Sequence, residues 1–435
     1  MRKAICLFVL ACASVAGAKS MFDQSQVERV MAYWSQPNRY QVGLPENWMK
    51  VGLWQPRLTV DGSTWLWNLM RAKGGGKTPP TTAPVGPKPE WDAWVLAKYK
   101  HDQYTSELAA AECNALIIPG FKPKSPPAID APGAIPEDLF QRLGNPPKFV
   151  SHVVPQAFEV KFEDGFSVTY SDQVAVRPQY AYFRFTEGVM AVGKRVREWD
   201  TSDLDAHFAE AGMTSSERKI MSAVSLLEGG FESVNTYDTG FVSVGLIQFA
   251  SLKEGGGSLG RLLRKYKTEF AADFEKDFTA YGLEVNPEGV LTVIDPSTGA
   301  IVAGASANQA IIKDKRLIAV FQRAGTKSRK FRVCQLMVAR DEYLPVNDFI
   351  NVTIGGFNVP LRVGDFVKSE AGLATLMDRK VNTGTLDPLP TVLANVIRKN
   401  NCKTVEEVAK CERELVIGMK FRKDFLADGN LSQPK

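Results

Sequence analysis

Two passages dominated by proline and glycine do most to limit what this chain can fold into. One, at 73–90, begins Lys73-Gly74-Gly75-Gly76-Lys77-Thr78-Pro79-Pro80, and a second runs from 119 to 147. Proline lacks a backbone donor and glycine lacks conformational restraint, so neither passage sustains a helix or a central strand. The part of the chain before residue 201 is thereby cut into short pieces, and after it helical periodicity takes over. For 435 residues, a prior of about 100–200 residues per domain suggests two to four domains. The divisions read from the sequence are a leader at 1–18, a Trp-rich region at 19–72, a linker at 73–90, a helix plus β-hairpin region at 91–200, a mostly helical domain at 201–425 and a polar tail at 426–435.

The leader has the order of a secretory signal. Arg2 and Lys3 precede an apolar run from Ala4 to Val15, and Ala16-Gly17-Ala18 offers an A-x-A-type cleavage site. The expectation is therefore a secreted or periplasmic protein. No later apolar stretch has the roughly 20 residues needed to span a bilayer. Removing the leader leaves Cys113, Cys334, Cys402 and Cys411, an even number that fits two disulfides in an exported chain. Cys402 and Cys411 flank a short helical segment and are the favoured pair, with free buried thiols as the alternative.

Hydrophobic patterning supplies the elements. Trp94, Ala97, Tyr104, Leu108 and Ala111 predict a helix over 91–116. Phe158, Val160 and Phe162, then Phe166, Val168 and Tyr170, alternate across an Asp164-Gly165 turn and predict a hairpin. Tyr180, Tyr182, Phe183 and Phe185 suggest one more strand. Thr214 with Glu217 forms a capping-box signature ahead of the apolar face Ile220, Ala223, Val224 and Leu227. Further helices are expected at 258–278, 311–324, 328–343, 370–380, 389–399 and 404–422, with hairpins at 291–302 and 349–363. The fold class is α+β, with β-hairpin insertions in the helical domain.

Composition narrows the chemistry. With 44% hydrophobic and 23% charged residues the chain is globular, and a formal charge of +5 is too mild for a dedicated nucleic-acid binder. Three histidines, His101, His152 and His207, are too dispersed for a zinc-peptidase pair. Gly256-Gly257-Ser258-Leu259-Gly260 matches a nucleophile elbow, yet no histidine follows it to take the Ser258 proton, and a Gly-rich turn capped by Ser258 is the better reading. Around Gly74, Pro79 and Pro80 stand where a phosphate loop needs a helix N-terminus. No metal or cofactor is expected, and carboxylates remain as the acid/base groups.

One stretch carries that chemistry. Glu228 closes an amphipathic helix that Gly229 and Gly230 break, with Leu226, Leu227 and Phe231 around it. The negative end of the helix dipole and apolar surroundings both favour a protonated carboxyl, the form a general acid needs. Asp238, in a polar turn, should stay ionised, and two carboxyls pushed apart in this way suit glycoside cleavage. Glu232 is the alternative second carboxylate. Residues 239–249 alternate like a short buried strand, with small residues at 240, 243 and 245 that would let a sugar chain approach the backbone. Tyr237 is a candidate for stacking on a sugar face.

A helix-end Glu, a loop, then Asp238-x-Gly240-x-x-Ser243-x-Gly245-x-x-Gln248-Phe249 resembles the lysozyme-like superfamily, closest to its goose-type lysozyme, lytic transglycosylase and chitosanase branches. The resemblance covers about 201–425. It implies a mostly helical lysozyme-like domain in which Glu228 is the general acid and Ser243, Gly245 and Gln248 line the sugar groove. The segment Leu376-Met377-Asp378-Arg379-Lys380-Val381-Asn382-Thr383-Gly384 is similar to a late helix of that family, ending in Asn and Gly.

The leading expectation is thus an exported enzyme acting on β-1,4 links of peptidoglycan, with catalytic Glu228 and Asp238 and with Tyr237, Ser243, Gly245 and Gln248 binding substrate. The alternatives are a chitosanase- or chitinase-type hydrolase and a non-catalytic wall-binding or structural protein. All eight Trp lie at or before Trp199, so the N-terminal half either stacks on glycan or uses them to fill a small core.

Overall fold

The computed structural model describes residues 21–75, 80–122, 126–173, 184–354 and 356–435. The fold is a mixed α+β arrangement of helices and small antiparallel sheets. Apolar residues gather into two cores. The larger runs from Phe22 to Leu431, and the smaller is built from Leu58, Trp65, Leu66, Leu69, Trp91, Val95, Tyr99, Leu139 and Phe149 among others. The division at 73–90 is therefore not a division between cores: Trp65 before it and Trp91 after it share one interior. Val85 donates its N–H to the Ala72 carbonyl at 2.9 Å, which ties the residues around Val85 back to this lobe.

That smaller lobe carries helices Val60–Ala72, Pro89–Ile117 and Glu137–Leu143 and the strand pair Gln55–Leu58 with Val150–Val153. It is inserted between elements of the larger core. Helix Gln24–Trp34 and strand Tyr40–Gly43 precede it, and the hairpin Ala157–Lys161 with Ser167–Ser171 follows it in the same sheet as Tyr40–Gly43. Phe158, opposite Tyr170, and Val160 face inward, as the period-2 alternation requires. Trp34, Trp65 and Trp91 are buried, so these tryptophans fill cores. The strand expected around Tyr180, Tyr182 and Phe183 lies outside the described residues.

The helical part follows the periodicity with finer punctuation. The expected helix at 258–278 is split into Gly257–Glu269 and Ala271–Asp277, and that at 404–422 into Val405–Lys410 and Glu412–Met419. Arg329–Tyr343, Glu370–Thr383 and Leu389–Asn400 match expectation, as do the hairpins at 291–302 and 349–363. The tail is not a free polar end. Leu431 is buried, and Ser432 donates its N–H to Glu370 Oε2 at 2.7 Å.

Cys113, Cys334, Cys402 and Cys411 are all free thiols, which corrects the expectation of disulfides. Cys402 and Cys411 are neighbours, as their spacing suggested, but they share a hydrogen bond instead of a covalent bond.

His207 joins two helices of the larger core. Arg332 Nε donates to His207 Nε2 at 2.8 Å, and Nδ1 donates to the Asp203 carbonyl, so the ring is neutral. Burial, with Arg332 and Arg329 nearby, holds its pKa below the ordinary 6.5. The folded state resists the proton that the unfolded chain accepts. The contribution is present above pH 6.5 and is lost as pH falls through the folded value. The unfolding free energy from urea titrations should drop between pH 7 and pH 5, at a limiting slope of about 1.4 kcal/mol per pH unit. In His207→Gln the dependence should flatten, and an unchanged slope would assign it to other groups.

Candidate active site

Glu228 lies just past the helix Ser215–Ser225, in a turn where its N–H bonds the Ser225 carbonyl at 3.1 Å. The Thr214–Glu217 capping box starts that helix as expected. Beyond it the chain forms a ladder of two-residue strands, Met190–Ala191, Val234–Asn235, Ser243–Val244 and Phe249–Ala250. Residues 239–249 are thus two short strands around a tight turn, not one strand. Gln248 N–H closes that turn on the Gly245 carbonyl at 3.0 Å, with positive φ at both residues.

A groove of about 590 Å³ opens beside this loop. Asn235, Asp238, Ser243 and Gln248 form one wall. Ser258 and Arg261 of helix Gly257–Glu269, with Glu342 and Tyr343 at the end of another helix, form the second. Lys380 to Gly384 close it, and Glu228 lines it as well. Three stretches far apart in sequence, 228–261, Glu342 with Tyr343, and the end of the late helix from Lys380 to Gly384, meet here.

The carboxylates have different settings. Asp238 Oδ1 accepts the Gly240 N–H at 2.8 Å and Oδ2 accepts from Asn235 Nδ2 at 3.0 Å. It caps its own turn and faces the groove at once. Glu228 is mostly buried, its side chain 12% exposed, but its partner is not apolar: Arg422 Nη2 donates to its Oε1 at 2.5 Å. Arg422 also donates through Nε, at 2.8 Å, and Nη2 to Asp378, which is 1% exposed. Burial works against the Arg422 charge, but Glu228 and Asp378 outweigh it and hold the guanidinium above its ordinary value. A cation this close favours the anionic carboxylate. The apolar, protonated setting expected for Glu228 is therefore replaced by one end of a Glu228–Arg422–Asp378 chain.

Glu232, the alternative second carboxylate, is not part of the groove lining. It is buried behind the loop, with Oε1 accepting the Lys194 N–H at 2.7 Å, and burial raises its pKa. Tyr237 also lies outside the lining and packs against the smaller core. Gly245 is a packing residue: a Cβ there would stand 2.2 Å from Gln335 Oε1. Gly240 likewise makes room for Ser243 Oγ, 2.4 Å from where its Cβ would be. Ser243 and Gln248 do line the groove, Gln248 with Nε2 tied to the Gly245 carbonyl at 3.1 Å.

The sequence reading missed Tyr343, Arg261 and Arg422. Tyr343 shares a hydrogen bond with Ser258, and burial first, then the charges of Glu342 and Glu228, push its phenol upward, so it stays a neutral donor. Ser258 sits in the first turn of its helix, where its Oγ accepts the Ala250 N–H at 2.9 Å. It joins the helix to the loop instead of capping a turn. Arg261 grips Glu342 through Nε and Nη2, both at 2.7 Å, and Lys380 pairs with Asp348 at 2.6 Å. Among the described residues no group of three His, Cys, Asp or Glu side chains is placed to hold a metal ion, and no helix is long and apolar enough to cross a membrane. No protein-family model, curated protein or solved structure matches the chain.

Proposed function

We propose that the chain is an exported enzyme that cleaves β-1,4 links of peptidoglycan, with Glu228 delivering a proton to the glycosidic oxygen. The observation that carries this reading is the convergence of Glu228 and Asp238 on one open groove, walled by hydrogen-bonding side chains from three distant stretches. Asp238, ionised and oriented by Asn235 and Gly240, either activates water or stabilises the positive charge that develops on the sugar.

Arg422 sets the condition under which Glu228 acts. Protonating Glu228 does not strand the guanidinium, because buried Asp378 retains it through Nε. Proton delivery then turns Glu228 into a carboxylate, and Arg422 passes from Asp378 alone to a pair of carboxylates. Tyr343, beside Glu228 and held by Ser258, offers a neutral donor to a sugar hydroxyl.

A chitosan-type polymer is the second reading, favoured by the charge of the groove. Glu228, Asp238 and Glu342 line it against Arg261 and Lys380, and both cations are already paired with carboxylates. A cationic glucosamine chain would meet a net negative surface there.

Mass spectrometry of purified peptidoglycan and of chitosan after incubation with the protein tests both. Reducing ends mean hydrolysis, anhydro ends mean a lytic route without water, and the polymer that yields products names the substrate. Intact polymers in both incubations would count against cleavage and favour a non-catalytic wall-binding or structural protein.

A further inference from the structure

We infer that the smaller lobe sets the geometry of the groove through Tyr237, which makes Tyr237 a positioning residue; this rests on the reading of the groove given above. Tyr237 immediately precedes Asp238, yet the two side chains part company. Asp238 faces the groove, while Tyr237 packs against the core of Leu58, Trp65 and Phe149 in the smaller lobe.

One bond of the Tyr237 backbone leads through Asn235 to the Asp238 carboxylate. The Tyr237 N–H is accepted by Asn235 Oδ1 at 3.1 Å, and the Nδ2 of the same side chain donates to Asp238 Oδ2 at 3.0 Å. The Tyr237 carbonyl accepts the N–H groups of Arg184 at 2.7 Å and Phe185 at 3.2 Å. Gly188 presses on the same point, where a Cβ would stand 2.5 Å from Tyr237 Cα and 2.6 Å from the Thr236 carbonyl oxygen. The loop is thus held between the segment beginning at Arg184 and the smaller lobe, with Asn235 relaying its position to Asp238.

This contact is separable from the stability of the larger core. Val234 on one side of Tyr237, and Phe241 and Val242 on the other, are buried in the larger core and keep the loop ends anchored without the ring. Losing the ring therefore frees the middle of the loop, and a shift of about 1 Å in a catalytic group is enough to slow a reaction by orders of magnitude.

The test uses the full chain with Tyr237→Ala and Tyr237→Phe, reading kcat, KM and amide hydrogen exchange. Tyr237→Ala should lower kcat about tenfold or more with KM within about twofold. It should also speed exchange at the Tyr237 and Gly240 amides while strand Ala157–Lys161 stays protected. Tyr237→Phe, which keeps the ring, should restore both. Unchanged exchange at 237 and 240 in Tyr237→Ala, or equal acceleration throughout the chain, would overturn the inference. A wild-type protein that cleaves no polymer sinks the catalytic reading alone, because the exchange measurement still decides whether lobe and loop are coupled.

Discussion

Glu228→Gln is expected to lower glycan cleavage by about 10²–10⁴-fold, the usual contribution of a general acid, while leaving the fold intact. Glutamine keeps the shape of the side chain, and its Oε1 can still accept from Arg422 Nη2, which buried Asp378 holds from the other side. What it lacks is a proton to give. Initial rates of soluble product release, with circular dichroism of both proteins, check the two halves of the expectation. Wild-type clearing by Glu228→Gln would remove Glu228 from the mechanism. Arg422→Gln supplies the pH counterpart. A general acid works in its protonated form, so activity falls as rising pH strips that proton. Arg422 favours the anion, and without it the proton is retained further. The alkaline limb of the activity profile should therefore move to higher pH in Arg422→Gln, and a limb that stays in place would mean that Arg422 does not govern the acid.

Gly245→Ala is expected to lose about 2–4 kcal/mol of stability, from strain at a positive φ combined with overpacking. Gly245 has φ +83, and the added Cβ would meet Gln335 Oε1 at 2.2 Å. Gln335 cannot simply step aside. It is fully buried, its Oε1 accepts the Leu246 N–H at 3.1 Å, and its Nε2 donates to the Phe231 carbonyl at 2.9 Å. Moving it breaks hydrogen bonds that tie the turn itself and, upstream of it, Phe231 to helix Arg329–Tyr343. The midpoint of urea unfolding measures the loss. A variant as stable as wild type would show that the loop has a second conformation of equal energy, and the packing role of Gly245 would fall.

The contrast between these two residues marks where the sequence was legible. Glu228 stood out because a helix pattern and a Gly-Gly break are local events, written in neighbouring residues. Gly245 stood out too, as part of a Ser-x-Gly-x-x-Gln run, but its reason was misplaced: the space it spares is taken by Gln335 and not by a ligand. Small residues mark close approach, and the sequence does not say what approaches. Tyr237 illustrates the same gap, since an aromatic beside a groove residue points either to ligand or to core, and only the smaller lobe decides between them. Cys402 and Cys411 were correctly expected to be close, yet closeness did not make them a disulfide.

By itself the sequence determined the long helix at 91–116, most of the helices and hairpins after residue 201, the capped start of the helix before Glu228, and the candidate status of Glu228 and Asp238. These follow from periodicity and from turn chemistry, which act within a few residues. Only the tertiary structure brought Arg422 to Glu228, across 194 positions, and set Asp378 behind it. It alone merged the two sides of the 73–90 passage into one core and laid Lys380 to Gly384 along the groove. Charge pairing and core sharing depend on distance in space, and a folded chain makes that distance independent of distance along the sequence.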